Sequence, residues 1–588
     1  MRVNKYDVDE KNTKFSFNNF KRALKYLTNY KGKLGIALIS NLISTFLTLI
    51  YAKIIQYGID NVIDENNFNL LVKLCFVGVI VQVGVVLTIK IKNQVLVKVN
   101  QNIVEDLKND LFSHIQYLSS EYYDTRPHGK ILVRLTEYAE GVSSLITNSL
   151  IDTILQLISL VLTVIFMFMT SVKLTFITFI GVIILSLLFN FTAKIKRKIK
   201  LKINNKRSNM NAYLYESLKG IDTTKIFNRQ GKNALIHNKL TSDYFNIWNE
   251  YIVYGNMTWS SINIISNVVQ VLIYTIGVFY LVPGITLGTI VAMGSYSSRF
   301  WNPIRNLFIT MDDFIESMTY LERILETIDE PITIKNIENP VKKEIIGDIK
   351  FKDVIFSYNE DKVILDKISF DVKPGEKIAI VGETGSGKTT IANLLARFYD
   401  INAGEILIDD IDIRNYDLNT LRRQISIMQQ DNYLFTDTIM NNLKYGNSKM
   451  ADEDVIKLCK KIGLDSFIRQ FAKGYYTVLE NHGNTLSDGQ RQLISYIRVL
   501  INDPKILVLD EATSKIDVKT ESIMQKRINT LLKDKTTITI AHRLSTIVNS
   551  DLIMLIKDKR IYEVGSHKEL MKKKGEYYKL YTSQDNLI

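Results

Sequence analysis

Two cysteines in 588 residues are too few for a disulfide framework or a cysteine-built metal cluster. Cys75 falls in an apolar stretch and Cys459 in a soluble helix, and both read as plain structural residues. Charge is missing from long tracts. Leu34–Ala52, Thr153–Val172, Leu174–Ala193 and Tyr251–Ser298 hold no charged residue, and Asn66–Ile89 holds only Lys73. Acids are missing from Lys194 to Arg207, where eight Lys and Arg follow directly on an apolar run. No cleavable secretion signal is expected. The first 33 residues are polar and Lys-rich, and the apolar run behind them is too long for a signal core. With 46% apolar and 23% charged residues, the composition excludes a disordered chain.

What is present is organised in two halves. Mean hydropathy is +0.03, but the apolar residues crowd into the first 310 positions. A helix needs about 20 apolar residues to cross a bilayer. The four shorter tracts supply one span each. Tyr251–Ser298 is long enough for two, with Pro283-Gly284 as the turn between them. Six spans put both ends of this half on one side. Asp60, Asp64 and Glu65 lie in one set of connections and the Lys/Arg clusters in the other. The positive-inside rule then places the N-terminus and everything after the sixth span in the cytoplasm. The net charge of +13 reads as membrane topology, since no nucleic-acid signature accompanies it. Residues 90–152 and 194–250 are polar yet keep a helical period, as in Ile103, Leu107, Leu111 and Ile115. They predict long helices extending into the cytoplasm, and the outer connections are short.

After Pro331 the composition shifts to strand-like stretches: Ile349–Tyr358, Ile368–Val372 and Lys377–Val381. Then comes Gly382-Glu383-Thr384-Gly385-Ser386-Gly387-Lys388-Thr389, with Thr390 opening the helix behind it. This matches the phosphate-binding loop, with a strand before it and a helix after it. The glycines let backbone N–H groups wrap phosphates, Lys388 reaches the outer phosphates, and Thr389 can hold Mg²⁺. A second element, Ile506-Leu-Val-Leu-Asp510-Glu511, reads as a buried parallel strand ending in two carboxylates. Asp510 would hold Mg²⁺ and Glu511 would act as general base on the attacking water. The expected fold is multidomain. An all-α six-helix transmembrane domain (1–325) and a linker (326–345) precede an α/β P-loop NTPase domain (346–588).

The block Leu486-Ser487-Asp488-Gly489-Gln490-Arg491-Gln492 resembles the signature sequence of ABC transporters. The resemblance covers nearly the whole chain and is to the exporter class, with membrane and ATPase domains fused. It implies that Ser487, Asp488, Gly489 and Gln490 face the ATP held by a partner subunit, at a helix N-terminus suited to phosphate. It implies that Tyr358 stacks on adenine, that Gln430 senses Mg²⁺, that Asp517 lies in the loop crossing to the partner, and that His542 contacts the γ-phosphate. Gln430, Glu511 and His542 are the implied catalytic residues; Thr389, Gln430 and Asp510 are the implied Mg²⁺ ligands. Thr125–Leu135 and Tyr215–Phe227 resemble the segments that couple the two domains. ATP and Mg²⁺ are the implied cofactors. The implied setting is a bacterial cytoplasmic membrane, with the lipid bilayer, a small amphipathic cargo and a second half-subunit as partners.

One position departs from the family. Asp488 stands where the signature has glycine. A carboxylate about 5 Å from a phosphate charge costs about 3 kcal/mol per unit pair at an effective dielectric near 20. The expectation is that Asp488 weakens the ATP site it completes, as in the degenerate-signature half of heterodimeric bacterial exporters. The alternative is that Asp488 merely caps its helix. A homodimer, or an ATP-gated sensor or channel, are the competing assemblies and functions. Drug, lipid and peptide cargoes all remain open.

Overall fold

A computed structural model of the chain describes residues 17–63, 67–126, 128–279, 285–359, 362–428, 433–480, 483, 486–510, 534–541 and 547–585. The chain forms two compact units. One comprises Met1–Gln116 and His128–Glu330; the other comprises Tyr117–Pro127 and Pro331–Ile588. The second unit therefore includes a short piece of chain from the middle of the helical half.

The first unit is built from six long helices: α1 Lys31–Tyr57, α2 Phe68–Tyr117, α3 Asp152–Thr170, α4 Val172–Lys219, α5 Gln230–Phe279 and α6 Leu287–Ile328. Among the described residues, five helical stretches are long and apolar enough to cross a membrane, belonging to α1 to α5. The second half of α6 mixes charged with apolar residues, and its first half faces the other helices. Ala292, Met293, Tyr296, Phe300 and Trp301 are all buried there. An inner helix need not be as apolar as one that meets lipid. By contrast α2 exposes Phe76, Val79, Ile80, Val83, Val86 and Leu87, a single face at helical spacing. Gly181 of α4 lets Trp301 and Val269 approach, since a Cβ there would come within 2.8 Å of Trp301. The turn expected at Pro283-Gly284 lies outside the described residues.

Polar groups pin these helices to one another. Asn41 of α1 donates to Leu155 O and Ser159 Oγ of α3, each at 3.0 Å. Asp60, just past α1, caps the start of α6 by accepting from Gly288 N–H at 2.7 Å and Thr286 Oγ1 at 2.6 Å. Gln56 adds a bond to Thr289 Oγ1 at 2.8 Å. The carboxylate suits a helix N-terminus, where backbone N–H groups lack intrahelical acceptors. Gly288 is required at this junction, because a Cβ would lie 2.5 Å from both Asp60 Oδ1 and Gln56 O. α2 runs on past its apolar tract to Tyr117, and Ile103, Leu107, Leu111 and Ile115 are buried at the helical spacing read from the sequence. Arg22 of the N-terminal helix Phe17–Lys25 holds Asp329 through two bonds of 2.6 Å.

The second unit carries two sheets. Strands β1 Ile349–Ser357, β2 Val363–Val372, β4 Ala403–Ile408 and β5 Ile411–Asp412 form an antiparallel sheet of order β2-β1-β4-β5. The other sheet contains β3 Lys377–Gly382, β6 Ile425–Met428, β7 Ile506–Asp510, β8 Thr536–Ile540, β9 Leu552–Lys557 and β10 Arg560–Gly565. Its order is β10-β9-β3-β8-β7-β6, parallel except for the β9–β10 edge. β7 is buried at every position, which is why Ile506–Leu509 reads as an unbroken apolar run. Residues from both sheets share one core, including Phe351, Leu365, Ile378, Ile380, Val508 and Ile538. β2 starts earlier than expected, at Val363 rather than Ile368, because its first half pairs with the end of β1.

Candidate ATP site

The parallel strands carry the site at their C-terminal ends, where such sheets bind ligands. β3 ends at Gly382, and helix α7, Lys388–Leu395, starts behind the loop. Gly385 and Gly387 take φ of +84° and +100°, which side chains with a Cβ rarely adopt. At Gly387 a Cβ would also meet Leu365 Cδ2 at 2.6 Å. The loop thus keeps its N–H groups turned inward as a cradle. Lys388 is buried and donates to Gly382 O and Glu383 O, both at 2.8 Å. Its ammonium lies over the cradle, where phosphate oxygens would replace those carbonyls.

Thr389 Oγ1 donates to Asp510 Oδ2 at 3.0 Å. A hydroxyl from α7 and a carboxylate from the end of β7 thus meet at one point. Two hard oxygen donors in that position fit Mg²⁺, which keeps oxygen ligands and several waters. The Ser386 hydroxyl is buried with no partner among the described residues, an orphan that a phosphate oxygen would satisfy. Tyr358, just past β1, shares a hydrogen bond of 3.1 Å with Thr390 Oγ1 of α7. Its ring meets Phe356 and Tyr399 edge-on, at 4.9 and 5.1 Å between centroids. Gln430, Glu511, Asp517 and His542 lie outside the described residues. In sequence, Gln430, Glu511 and His542 follow the C-terminal ends of β6, β7 and β8 by one or two residues.

The signature block opens helix α8, Asp488–Ile501. Ser487 is its N-cap in a capping box: Ser487 Oγ accepts from Gln490 N–H at 3.2 Å, and Gln490 Oε1 accepts from Ser487 N–H at 2.8 Å. Gly489 is buried in the first turn. Asp488 does not stand bare. The Arg491 guanidinium donates to its carboxylate and also to Gly483 O at 3.2 Å and Leu486 O at 2.9 Å. The full repulsion expected of Asp488 assumed an unpaired carboxylate. Ser487 rather than Asp488 caps this helix, and the pair with Arg491 leaves Asp488 a smaller electrostatic effect. The acid–base spacing of three on a helix was visible in the sequence as the signal for this pair.

The segment resembling the first coupling element is divided. Thr125–Pro127 belong to the unit with the sheets, and His128 onward to the helical unit. The helix that packs in the sheet unit is Ser120–Thr125, where Asp124 accepts a hydrogen bond from Tyr399 Oη. Burial, then Asp124, push the Tyr399 phenol above its usual range. A cavity of about 530 Å³ lies beside this contact, lined by Ser119, Glu121, Ile334, Tyr358 and Tyr399 among others. Neither Tyr399 nor Asp124 was singled out in the sequence. No local pattern links two residues 275 apart.

Residues 34–304 match the family model described as the ABC transporter transmembrane region, and 365–514 match the one described as ABC transporter. The chain is 36% identical over 582 residues to the uncharacterized ABC transporter ATP-binding protein YknV of Bacillus subtilis, covering 97% of this chain and 95% of that one. It is 31% identical over 576 residues to a Staphylococcus aureus protein provisionally named a multidrug export ATP-binding/permease protein, covering 96% of this chain and all of that one. A solved structure of a bacterial Atm1-family ABC exporter with ATP bound matches at TM-score 0.80 and 25% identity, over 95% of this chain and 98% of that one. The protein is an ATP-hydrolysing membrane transporter with its ATPase domain on the cytoplasmic side. The chain belongs to the ABC transporter family, as an exporter with its membrane and ATP-binding domains fused in one polypeptide.

Proposed function

We propose that the chain is one half of a heterodimeric exporter that moves an apolar or amphipathic molecule out of, or between the leaflets of, the cytoplasmic membrane. The observation that carries the ATP chemistry is the Thr389–Asp510 contact at 3.0 Å beside the glycine cradle. The cradle N–H groups and Lys388 bind the phosphates and Tyr358 holds the adenine. Thr389, Asp510 and Gln430 would hold Mg²⁺, which would supply positive charge to offset that of the phosphates. Glu511 orients the attacking water and takes its proton, and His542 holds the γ-phosphate. The partner's signature helix completes this site, with Asp517 in the loop that crosses to it. ATP closes the two ATPase domains, and their separation after hydrolysis resets the membrane helices.

Asymmetry favours a heterodimer over a homodimer. The motifs that hold ATP on this chain are intact, whereas the signature it offers carries Asp488. Even with Arg491 beside it, that carboxylate puts negative charge where a phosphate approaches. Spans with few charged residues suit an apolar or amphipathic cargo, in keeping with the multidrug name of the Staphylococcus aureus relative.

The test is purification of tagged chain from its native membrane, with mass spectrometry of what comes with it. A second half-subunit with an intact signature, and ATPase activity only in the mixed complex, supports the heterodimer. Brisk hydrolysis by this chain alone overturns it. Glu511→Gln separates a pump from a sensor, since it should trap ATP and stop transport in a pump while leaving a sensor's switching intact.

A further inference from the structure

We infer that the cargo is an amphipathic anion and that Arg299 of α6 holds its charged group at mid-membrane, an inference that rests on the export reading above. Depth is the first argument. At about 1.5 Å per residue, Arg299 lies about 18 Å along α6 from Leu287 at the outer end, close to the middle of a hydrocarbon core about 30 Å thick. Its side chain is exposed, and among the described residues no hydrogen bond or ion pair holds it. The apolar tracts of the six spans contain no Asp or Glu to neutralise it. A charge at that depth is costly against lipid and marks a pathway or a binding site.

The polar face around Arg299 is the second argument. Ser298, Asn302 and Asn306 are exposed with it, and at about 100° per residue the four fall within one sector of about 100°. By contrast, the exposed face of α2 is apolar, with Phe76, Val79, Ile80 and Val83. A polar face at such depth lines water rather than lipid. α5 continues the wall, in a register against α6 that three contacts fix. Ile290 packs on Gly277, the Tyr274 phenol on Gly294, and the Arg305 guanidinium lies 5.5 Å from the centre of the Trp259 ring. This antiparallel register sets Asn267 level with Arg299, about 18 Å from Phe279 at the outer end of α5. Asn263, Asn267 and Gln270 share one side of α5, and Gln270 donates to Tyr274 Oη at 3.0 Å, beside α6.

Charge decides what kind of cargo fits. Amides and hydroxyls accept any polar head, whereas a guanidinium attracts an anion, repels a cation and forks onto a carboxylate or phosphate. Next to the amides, Ile264, Val268 and Val271 of α5 are exposed as an apolar flank. An acid with an apolar tail meets both surfaces, and a small soluble acid meets only the first.

The experiment uses the purified full-length transporter, with whatever partner accompanies it, in bilayer discs of phosphatidylcholine. The probes are 12-bromododecanoate, 12-bromododecanol and 12-bromododecylamine, which share a tail and differ in head charge. Bromine quenches tryptophan, and Trp301 follows Arg299 closely on α6. Arg299→Gln should raise the half-quenching concentration of the acid about tenfold, the loss of one charge-assisted bond, and leave that of the alcohol within about twofold. Arg299→Lys should restore most of the loss, and Arg299→Glu should favour the amine. Lys73→Gln, which removes the same charge from an exposed position of α2, should change none of the three. Equal weakening of acid and alcohol by Arg299→Gln would make Arg299 structural. Equal weakening of the acid by Lys73→Gln would mean diffuse charge. Displacement by millimolar acetate would assign the site to soluble acids. Each of these overturns the inference. ATP trapping by Glu511→Gln is read separately on the same preparation, so a failure at Arg299 is told apart from a failure of the export reading.

Discussion

The Asp488–Arg491 pair offers the sharpest test of how the signature acts. Arg491→Ala removes the guanidinium that pairs with Asp488 and should deepen the repulsion at the ATP site that the proposed assembly has it complete. Unpaired and fully desolvated to an effective dielectric near 20, a carboxylate about 5 Å from a phosphate charge costs about 3 kcal/mol. Asp488 is 48% exposed and Arg491 24%, so solvent screening reduces the share that Arg491 relieves to about 1 kcal/mol. Arg491 also holds Gly483 O and Leu486 O, so the single variant mixes two losses. A double-mutant cycle with Asp488→Gly separates them. The assay is the ATP concentration giving half-maximal hydrolysis by the assembled transporter. Arg491→Ala should raise it about fivefold more with Asp488 present than with glycine there. Asp488→Gly alone should lower it. Equal effects of Arg491→Ala in both backgrounds would refute the electrostatic reasoning and leave Arg491 as a loop fastener only.

Three further outcomes are expected. Thr389→Ala should raise the Mg²⁺ needed for half-maximal ATPase by about tenfold or more, since it removes one of the two oxygens that meet at 3.0 Å; an unchanged Mg²⁺ titration would take Thr389 out of the metal site. Gly288→Ala should break the Asp60 cap, with two charge-assisted bonds lost at about 1.5–3 kcal/mol each, and lower the thermal midpoint in detergent by about 5 °C or more. A midpoint equal to the parent's would show that the junction yields. Tyr399→Phe should destabilise the sheet unit by about 1 kcal/mol through the lost bond to Asp124. Burial and Asp124 raise the Tyr399 pKa, so the bond is present below the ordinary tyrosine value of about 10 and is lost only as pH rises through the higher folded value. The difference between parent and variant should therefore be flat from about pH 6 to 9, and one that fades by pH 9 contradicts this.

Local patterns were legible in the sequence and distant pairings were not. The phosphate loop could be read because its strand, glycines and helix are contiguous, and the structure gives them the expected order. Ile103, Leu107, Leu111 and Ile115 declared the buried face of α2 by spacing alone. The apolar run before Asp510 announced a strand covered on both faces. The Asp60 cap on α6 joins residues 228 apart, and only the folded chain brings them together. α6 resists a hydropathy count because Tyr296 and Trp301 are buried in protein rather than lipid. The inward turn of Lys388 onto its own loop carbonyls follows from backbone geometry that no motif encodes.

The helix Ser120–Thr125 has a consequence for how the protein is made. Its place is in the sheet unit, yet the ribosome delivers it long before any strand of that unit. Asp124 precedes Tyr399 by 275 residues. At about 5–20 residues per second, that gap is roughly 14–55 seconds of synthesis. For that interval the short helix hangs between two growing membrane hairpins with nothing to dock on. The contact between Asp124 and Tyr399 therefore forms only after both halves have been made, joining a piece delivered early to strands delivered late.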